Sequence, residues 1–167
     1  DTMNYWIENT PESLRTTLSR VDCFVINDAE ARELADEPNL VRAAGQIRDM
    51  GPEILIIKKG EHGALLFTDE SVFSAPAYPL EDIQDPTGAG DAFAGGLAGH
   101  LHRTGSIDED ALRRAVIYGS VTASYVVQRY GPDRLLDLDP AAIAERARSF
   151  RELAAIPTLV PLDKQLV

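Results

Sequence analysis

The chain has 167 residues, 44% hydrophobic and 26% charged, which is enough for one globular domain with a real core and excludes a disordered or fibrous chain. Twenty-seven acidic against sixteen basic side chains leave a formal net charge of −11, a surface that repels phosphate backbones and anionic headgroups, so neither nucleic acid nor membrane is an expected partner. No apolar run approaches the roughly 20 residues that span a bilayer, and no charged start leads into an apolar stretch as a signal peptide would, so the expected location is cytoplasmic.

The chain opens on Asp1-Thr2-Met3-Asn4 without an initiating Met, which reads as a start in mid-protein. Asp1 and Asn4 read as the end of a strand and are left out of the candidate site, and Tyr5 and Trp6, beside Met3 and Ile7, read as core or domain-junction packing. Thr10-Pro11-Glu12 combines a hydroxyl cap with Pro at the first helical position, and Leu14 and Leu18 share a face, which predicts a helix ending near Arg20. Val21 to Ile26 is a compact apolar run that suits a buried strand, with the lone Cys23 as a buried structural thiol. Asn27-Asp28-Ala29-Glu30 then opens a helix, and a second amphipathic stretch, Leu40 to Met50, is stopped by Gly51-Pro52.

Ile54 to Lys58 is the next strand, followed by a Gly60 to Gly63 turn and two further strands, Ala64 to Phe67 and Ser71 to Ala75. A connection punctuated by Pro76 and Pro79 reaches Asp85-Pro86-Thr87-Gly88, after which the pattern turns helical. A small-residue helix is predicted from about Gly90 to Leu101. A second starts at Ser106 to Asp110 and runs to about Tyr130, where Gly131-Pro132 ends it, and a third spans Ala141 to Leu153. The whole predicts a single α/β domain over 1–156, with a largely parallel sheet and a small antiparallel element after Lys59, and a tail at 157–167. Such a fold implies no function by itself.

The segment richest in chemistry is Asp85-Pro86-Thr87-Gly88-Ala89-Gly90-Asp91-Ala92-Phe93-Ala94-Gly95-Gly96. Glycines at 88 and 90 allow a tight turn and bring a ligand close to bare backbone. The N–H groups of the first helical turn then face that ligand with the positive end of the helix dipole, an arrangement that favours a phosphoryl group. A carboxylate at the same end, Asp91, stays ionised there and can take a proton from a hydroxyl beside the phosphate. The same residues also fit a capped helix whose glycines merely pack against a strand.

The full string resembles the carboxy-terminal signature of the ribokinase-like PfkB family of carbohydrate and nucleoside kinases. The resemblance implies a ribokinase-like three-layer α/β/α fold, of which this chain is the carboxy-terminal portion. It also implies ATP and Mg²⁺ as cofactors and a sugar or nucleoside acceptor, with homodimerisation open for the full-length protein. Carried over residue by residue, it makes Asp91 the catalytic base and the backbone of Gly88, Ala89 and Gly90 the anion hole. Asn27 and Glu30, taken alone, are a capping box; the resemblance aligns them with the family's N-x-x-E motif, which puts Glu30 near the metal and the phosphates, largely through water.

The segment Lys58-Lys59-Gly60-Glu61-His62-Gly63 reads as an ordinary strand end and turn. By resemblance it borders the nucleotide, making Lys58, Gly60 and Gly63 candidate ATP contacts, with Lys58 and Lys59 not distinguished. The same placement brings Gly119 and Ser120 near the adenine, where ribokinase-type members often have Asn. His100 and His102 point in different directions on one helix and make no metal pair, and Asp108-Glu109-Asp110 reads as a solvated helix cap. The expected reaction is transfer of the ATP γ-phosphate to an alcohol group of a sugar or nucleoside. The alternatives are a non-catalytic nucleotide-binding module derived from such a kinase and a dinucleotide oxidoreductase. The last is disfavoured because Phe93 stands where Gly-x-Gly-x-x-Gly needs its third glycine.

Overall fold

The computed structural model describes residues 1–131 and 133–157, without the side chains of Asp133 and Arg134, so the predicted tail falls almost wholly outside the described residues. Helices α1 (Asn4–Asn9) and α2 (Pro11–Leu18) precede strand β1 (Cys23–Asn27), which runs directly into α3 (Asp28–Ala35) and then α4 (Leu40–Arg48). Strand β2 (Ile54–Lys58), a single 3-10 turn at Gly60–His62, β3 (Ala64–Phe67) and β4 (Val72–Ala75) follow. An irregular segment leads to α5 (Ala89–Thr104) and α6 (Glu109–Val126), then a short α7 (Asp133–Leu136) and α8 (Pro140–Leu153).

The four strands lie in the order β1-β2-β3-β4. β1 and β2 pair in parallel, from Cys23 opposite Ile54 to Asn27 opposite Lys58. β3 and β4 then turn back antiparallel, with Lys58 opposite Ala64 and Ala64 opposite Ala75. The antiparallel element begins where expected, just after Lys59, and within this chain it weighs more than the small addition the sequence suggested.

Period-two alternation splits the strands between two cores. Phe24, Ile26, Leu55, Ile57 and Phe67 face one side, where Ile7, Leu14, Leu18, Leu34, Ala44 and Ile47 of α1 to α4 cover them. Val25, Ile56, Ala64, Leu66 and Ala75 face the other, against Phe93 and Leu97 of α5 and Leu112, Ala115 and Val116 of α6. The result is three layers, helix on sheet on helix, with a satellite cluster of Val121, Tyr125 and Phe150 docking α8 on α6.

Three expectations change in detail. The segment read as a strand end is helix α1; Tyr5 and Trp6 are 57% and 46% exposed and stack edge-on upon each other, so Ile7 rather than the aromatics anchors α1 in the core. α6 ends at Val126, short of Tyr130. Cys23 is half-buried, and burial pushes its thiol up to about 11, which leaves it protonated and unreactive at neutral pH.

Candidate active site

The parallel pair determines where a ligand can sit, because crevices in open α/β sheets form outside the carboxyl ends of the parallel strands. Those ends here are Asn27 and Lys58, register partners that close β1 and β2. Both continue the alternation of Val25 and Ile56, toward the layer of α5 and α6. A cavity of about 630 Å³ opens at this point. One end is lined by Asn27, Lys58, Ala89 and Gly90, and the other by Tyr78, Ile83, Ser120 and Val127.

The turn before α5 is built from local chemistry. Asp85 Oδ1 accepts from the Thr87 N–H at 2.9 Å, and hydrogen bonds from the Thr87 side chain first and its N–H second hold the Asp85 carboxyl below the usual carboxylate range. Gly88 caps α5 at φ 80°, a left-handed conformation that a Cβ would strain. The N–H groups of Gly90 and Asp91 have no acceptor among the described residues, so the start of α5 presents open donors beside the cavity. Gly63 stands at φ 85° and passes so close to β4 that a Cβ would meet the Ala75 carbonyl oxygen at 2.0 Å, which pins the turn to the sheet.

Lys58 is the basic side chain of the cavity lining. Its ammonium lies 2.8 Å from Asp1 Oδ2 and 3.0 Å from the point a Cβ on Gly90 would occupy. Burial pulls the Lys58 ammonium below its ordinary value, and the charges of Glu30 and Asp91 oppose that shift. Asp91 itself is exposed in the first turn of α5, beside the cavity rather than in its wall.

The expected capping box forms in full. Asn27 Oδ1 accepts from the Glu30 N–H at 2.8 Å, and Glu30 Oε2 accepts from the Asn27 N–H at 3.1 Å. Glu30 is buried at 6% exposure, close enough to bias Lys58 but outside the cavity lining.

Of the residues singled out in the sequence, Asn27, Lys58, Gly60, Gly63, Ala89, Gly90 and Ser120 line the cavity, and Gly88, Glu30 and Asp91 border it from outside. Lys58, not Lys59, is the lysine that does so. Gly119 does not: a Cβ there would meet the Phe93 carbonyl oxygen at 2.8 Å, so this glycine serves the contact between α5 and α6. Sequence reasoning missed the walls supplied by Tyr78, Leu80 and Ile83 and by Ala123, Ser124 and Val127. The α6 set was findable, since 120, 123, 124 and 127 share one helical face. Ser124 is turned to structural use: its hydroxyl donates to the Val121 carbonyl at 2.7 Å and accepts from Arg146 at 2.9 Å.

The model of the family described as "pfkB family carbohydrate kinase" matches residues 2–137. A cytidine kinase of Thermococcus kodakarensis is 34% identical over 120 residues, covering 71% of this chain and 41% of the relative. A 1-phosphofructokinase of Haloferax volcanii is 42% identical over 112 residues, covering 66% of this chain and 34% of the relative. Among solved structures, aminoimidazole riboside kinase from Salmonella enterica, complexed with aminoimidazole riboside and an ATP analog, superposes with a TM-score of 0.75 at 30% identity. That match covers 84% of this chain and 46% of the other. The chain belongs to the PfkB family of carbohydrate kinases and has the ribokinase-like fold, and it spans less than half the length of the relatives it matches. No helix among the described residues is long and apolar enough to cross a membrane.

Proposed function

We propose that this chain is the nucleotide-side portion of an ATP-dependent phosphotransferase that moves the γ-phosphate of ATP to an alcohol group of a sugar or nucleoside. The observation that carries the reading is the cavity itself: a trench of nucleotide size with open helix-end donors and one ammonium at its Gly90 end, and apolar walls at the other. The charged end suits phosphates and the apolar end suits a base.

In the transfer, the acceptor hydroxyl gives its proton to the Asp91 carboxylate as its oxygen bonds to the γ-phosphorus, and the bond from that phosphorus to the β-γ bridging oxygen breaks to release ADP. The N–H groups of Gly90 and Asp91 stabilise the equatorial charge of the moving group, and Lys58 adds a fixed positive charge at the same end. The hard carboxylate oxygens of Glu30 fit Mg²⁺ held largely through water, which when bound would neutralise phosphate charge. Among the described residues no group of three His, Cys, Asp or Glu gathers as a protein cage.

The alternative is a nucleotide-binding module that holds ATP without turnover. Calorimetric titration of Mg²⁺-ATP and a turnover screen over sugars and nucleosides separate the two. The kinase reading expects binding with turnover, and expects Asp91→Asn to keep nucleotide affinity while lowering turnover by roughly a hundredfold or more, the scale of a lost general base. Binding without turnover of any acceptor supports the module. Unchanged turnover in Asp91→Asn removes Asp91 as the base.

A further inference from the structure

Lys58 is the only cation in the cavity lining among the described residues, in a chain of net charge −11, and it is surrounded by acids. Its direct partner is Asp1, 57 positions away in sequence, at 2.8 Å; the two side chains are 17% and 29% exposed. Glu30 and Asp91 both act on the same ammonium from further off. A lysine side chain has many accessible rotamers, so an unrestrained Lys58 would sample several of these partners. One of them is the carboxylate that the kinase reading makes the base.

We propose that Asp1 is a positioning residue: its carboxylate holds the Lys58 ammonium over the Gly90 end of the turn and away from Asp91. The inference rests on the kinase reading of the site. In the ground state the Asp1–Lys58 pair keeps the cation in place before charge develops, so little reorganisation is left for the transfer step. Asp1 also leaves the Asp91 carboxylate free to take the hydroxyl proton. Without Asp1, Lys58 shifts to Asp91 or Glu30. An ammonium paired with Asp91 occupies the carboxylate that has to take the proton and leaves the Gly90 end without its fixed charge.

The test uses Asp1→Asn, Lys58→Met and the double variant of the intact protein. It reads kcat and KM for Mg²⁺-ATP, calorimetric affinity for Mg²⁺-ATP and the thermal midpoint. Asp1→Asn is expected to lower kcat by about tenfold, with nucleotide affinity within about threefold of the parent. Asp1→Glu, which keeps the charge, should recover kcat to within about threefold. In the Lys58→Met background Asp1→Asn should have no further effect, because the residue acts through the lysine.

Multiplicative effects of the two substitutions overturn the proposal. So does a loss confined to the thermal midpoint with kcat intact. A parent protein that binds Mg²⁺-ATP and transfers phosphate to no acceptor overturns the kinase reading first, and this inference with it; Asp1→Asn behaving like its parent, in a protein that does turn over, overturns this inference alone.

Discussion

Glycine serves two different purposes along α5, and the contrast separates what the fold needs from what the site needs. At the first turn, the space where a Cβ on Gly90 would go holds the tip of Lys58, a flexible chain that can move aside. Two turns further on, a Cβ on Gly96 would lie 2.2 Å from Thr122 Oγ1 and 2.8 Å from the Tyr118 carbonyl oxygen. Opposite it on α6, a Cβ on Gly119 would meet the Phe93 carbonyl oxygen at 2.8 Å. The helices come so close there that the Thr122 hydroxyl donates across the contact to the Ala92 carbonyl, at 2.8 Å. One glycine clears room for a ligand and the others clear room for a neighbouring backbone.

The largest effect should come from closing the packed end. Gly119→Val cannot be absorbed by rotating a side chain, because its nearest obstacle is backbone, and a β-branched residue brings no helix propensity to compensate. We expect a loss of about 3 kcal/mol, the upper part of the range for overpacked cores, measured by denaturant unfolding. An unfolding midpoint equal to that of the parent would mean the helices are not in this close contact. Gly90→Ala is the counterpart. It should leave stability within about 0.5 kcal/mol, since helix propensity rises and only Lys58 must yield. Phosphate-end function should fall by about tenfold, near 1.4 kcal/mol, as the ammonium is displaced. A Gly90→Ala protein that loses stability and keeps its turnover would reverse the comparison.

How much of this was legible in the sequence follows from the same distinction. β2 and β3 lie where the apolar runs Ile54 to Lys58 and Ala64 to Phe67 put them, because each is a buried run closed off by Gly or Pro. The turn before α5 was legible because tight turns write their demands into Gly and Asp at fixed offsets. α1 was not legible as a helix: six residues with one buried side chain, Ile7, carry no period. Gly119 and Ser120 are adjacent in sequence, yet a helix turns them to different neighbours, so one packs under Phe93 and the other lines the cavity. The irregular segment from Tyr78 to Ile83 looked like a mere connection, because walls made of loop have no periodicity to read. Asp1 reaches Lys58 only through the fold, and nothing at positions 1 or 58 announces the pair.

The packed end can also be probed by pH, with smaller effects. At the start of α6, Glu109 accepts from Ser71, from Thr68 at 2.8 Å and from Arg113 at 3.0 Å, which ties the β3–β4 hairpin to the helix. The Ser71 hydroxyl chiefly, with Thr68 and Arg113, holds the Glu109 carboxyl below its ordinary 4.5. The unfolded chain therefore takes up this proton first as pH falls, and the stabilisation is complete above about pH 5 and lost as pH drops through the lowered folded value. Thermal midpoints of the parent and Glu109→Gln should differ at neutral pH and converge in that acidic window. A constant gap down to about pH 3 would rule out this carboxylate as the source.

The smallest effect is expected at His100, which lies on the same α5–α6 contact, one turn beyond Gly96. Its ring stacks on Tyr118 at a centroid distance of 4.4 Å, and its Nε2 is buried with no partner among the described residues. Burial first, then the Arg103 and Arg114 charges, hold the imidazole below its ordinary 6.5. Protonation thus favours the unfolded chain: stability is full above about pH 6.5 and declines as pH falls toward the lowered folded value. His100→Phe keeps the stack and removes both the unpaired nitrogen and the titration, and deleting an unsatisfied buried polar atom costs little. The variant should match the parent near pH 8 and unfold at a higher temperature than the parent near about pH 5.5. A variant that is less stable at both pH values would show that the contact of His100 Nδ1 with the Arg103 guanidinium, at 3.4 Å, contributes to the packed end of α5 beyond close backbone approach.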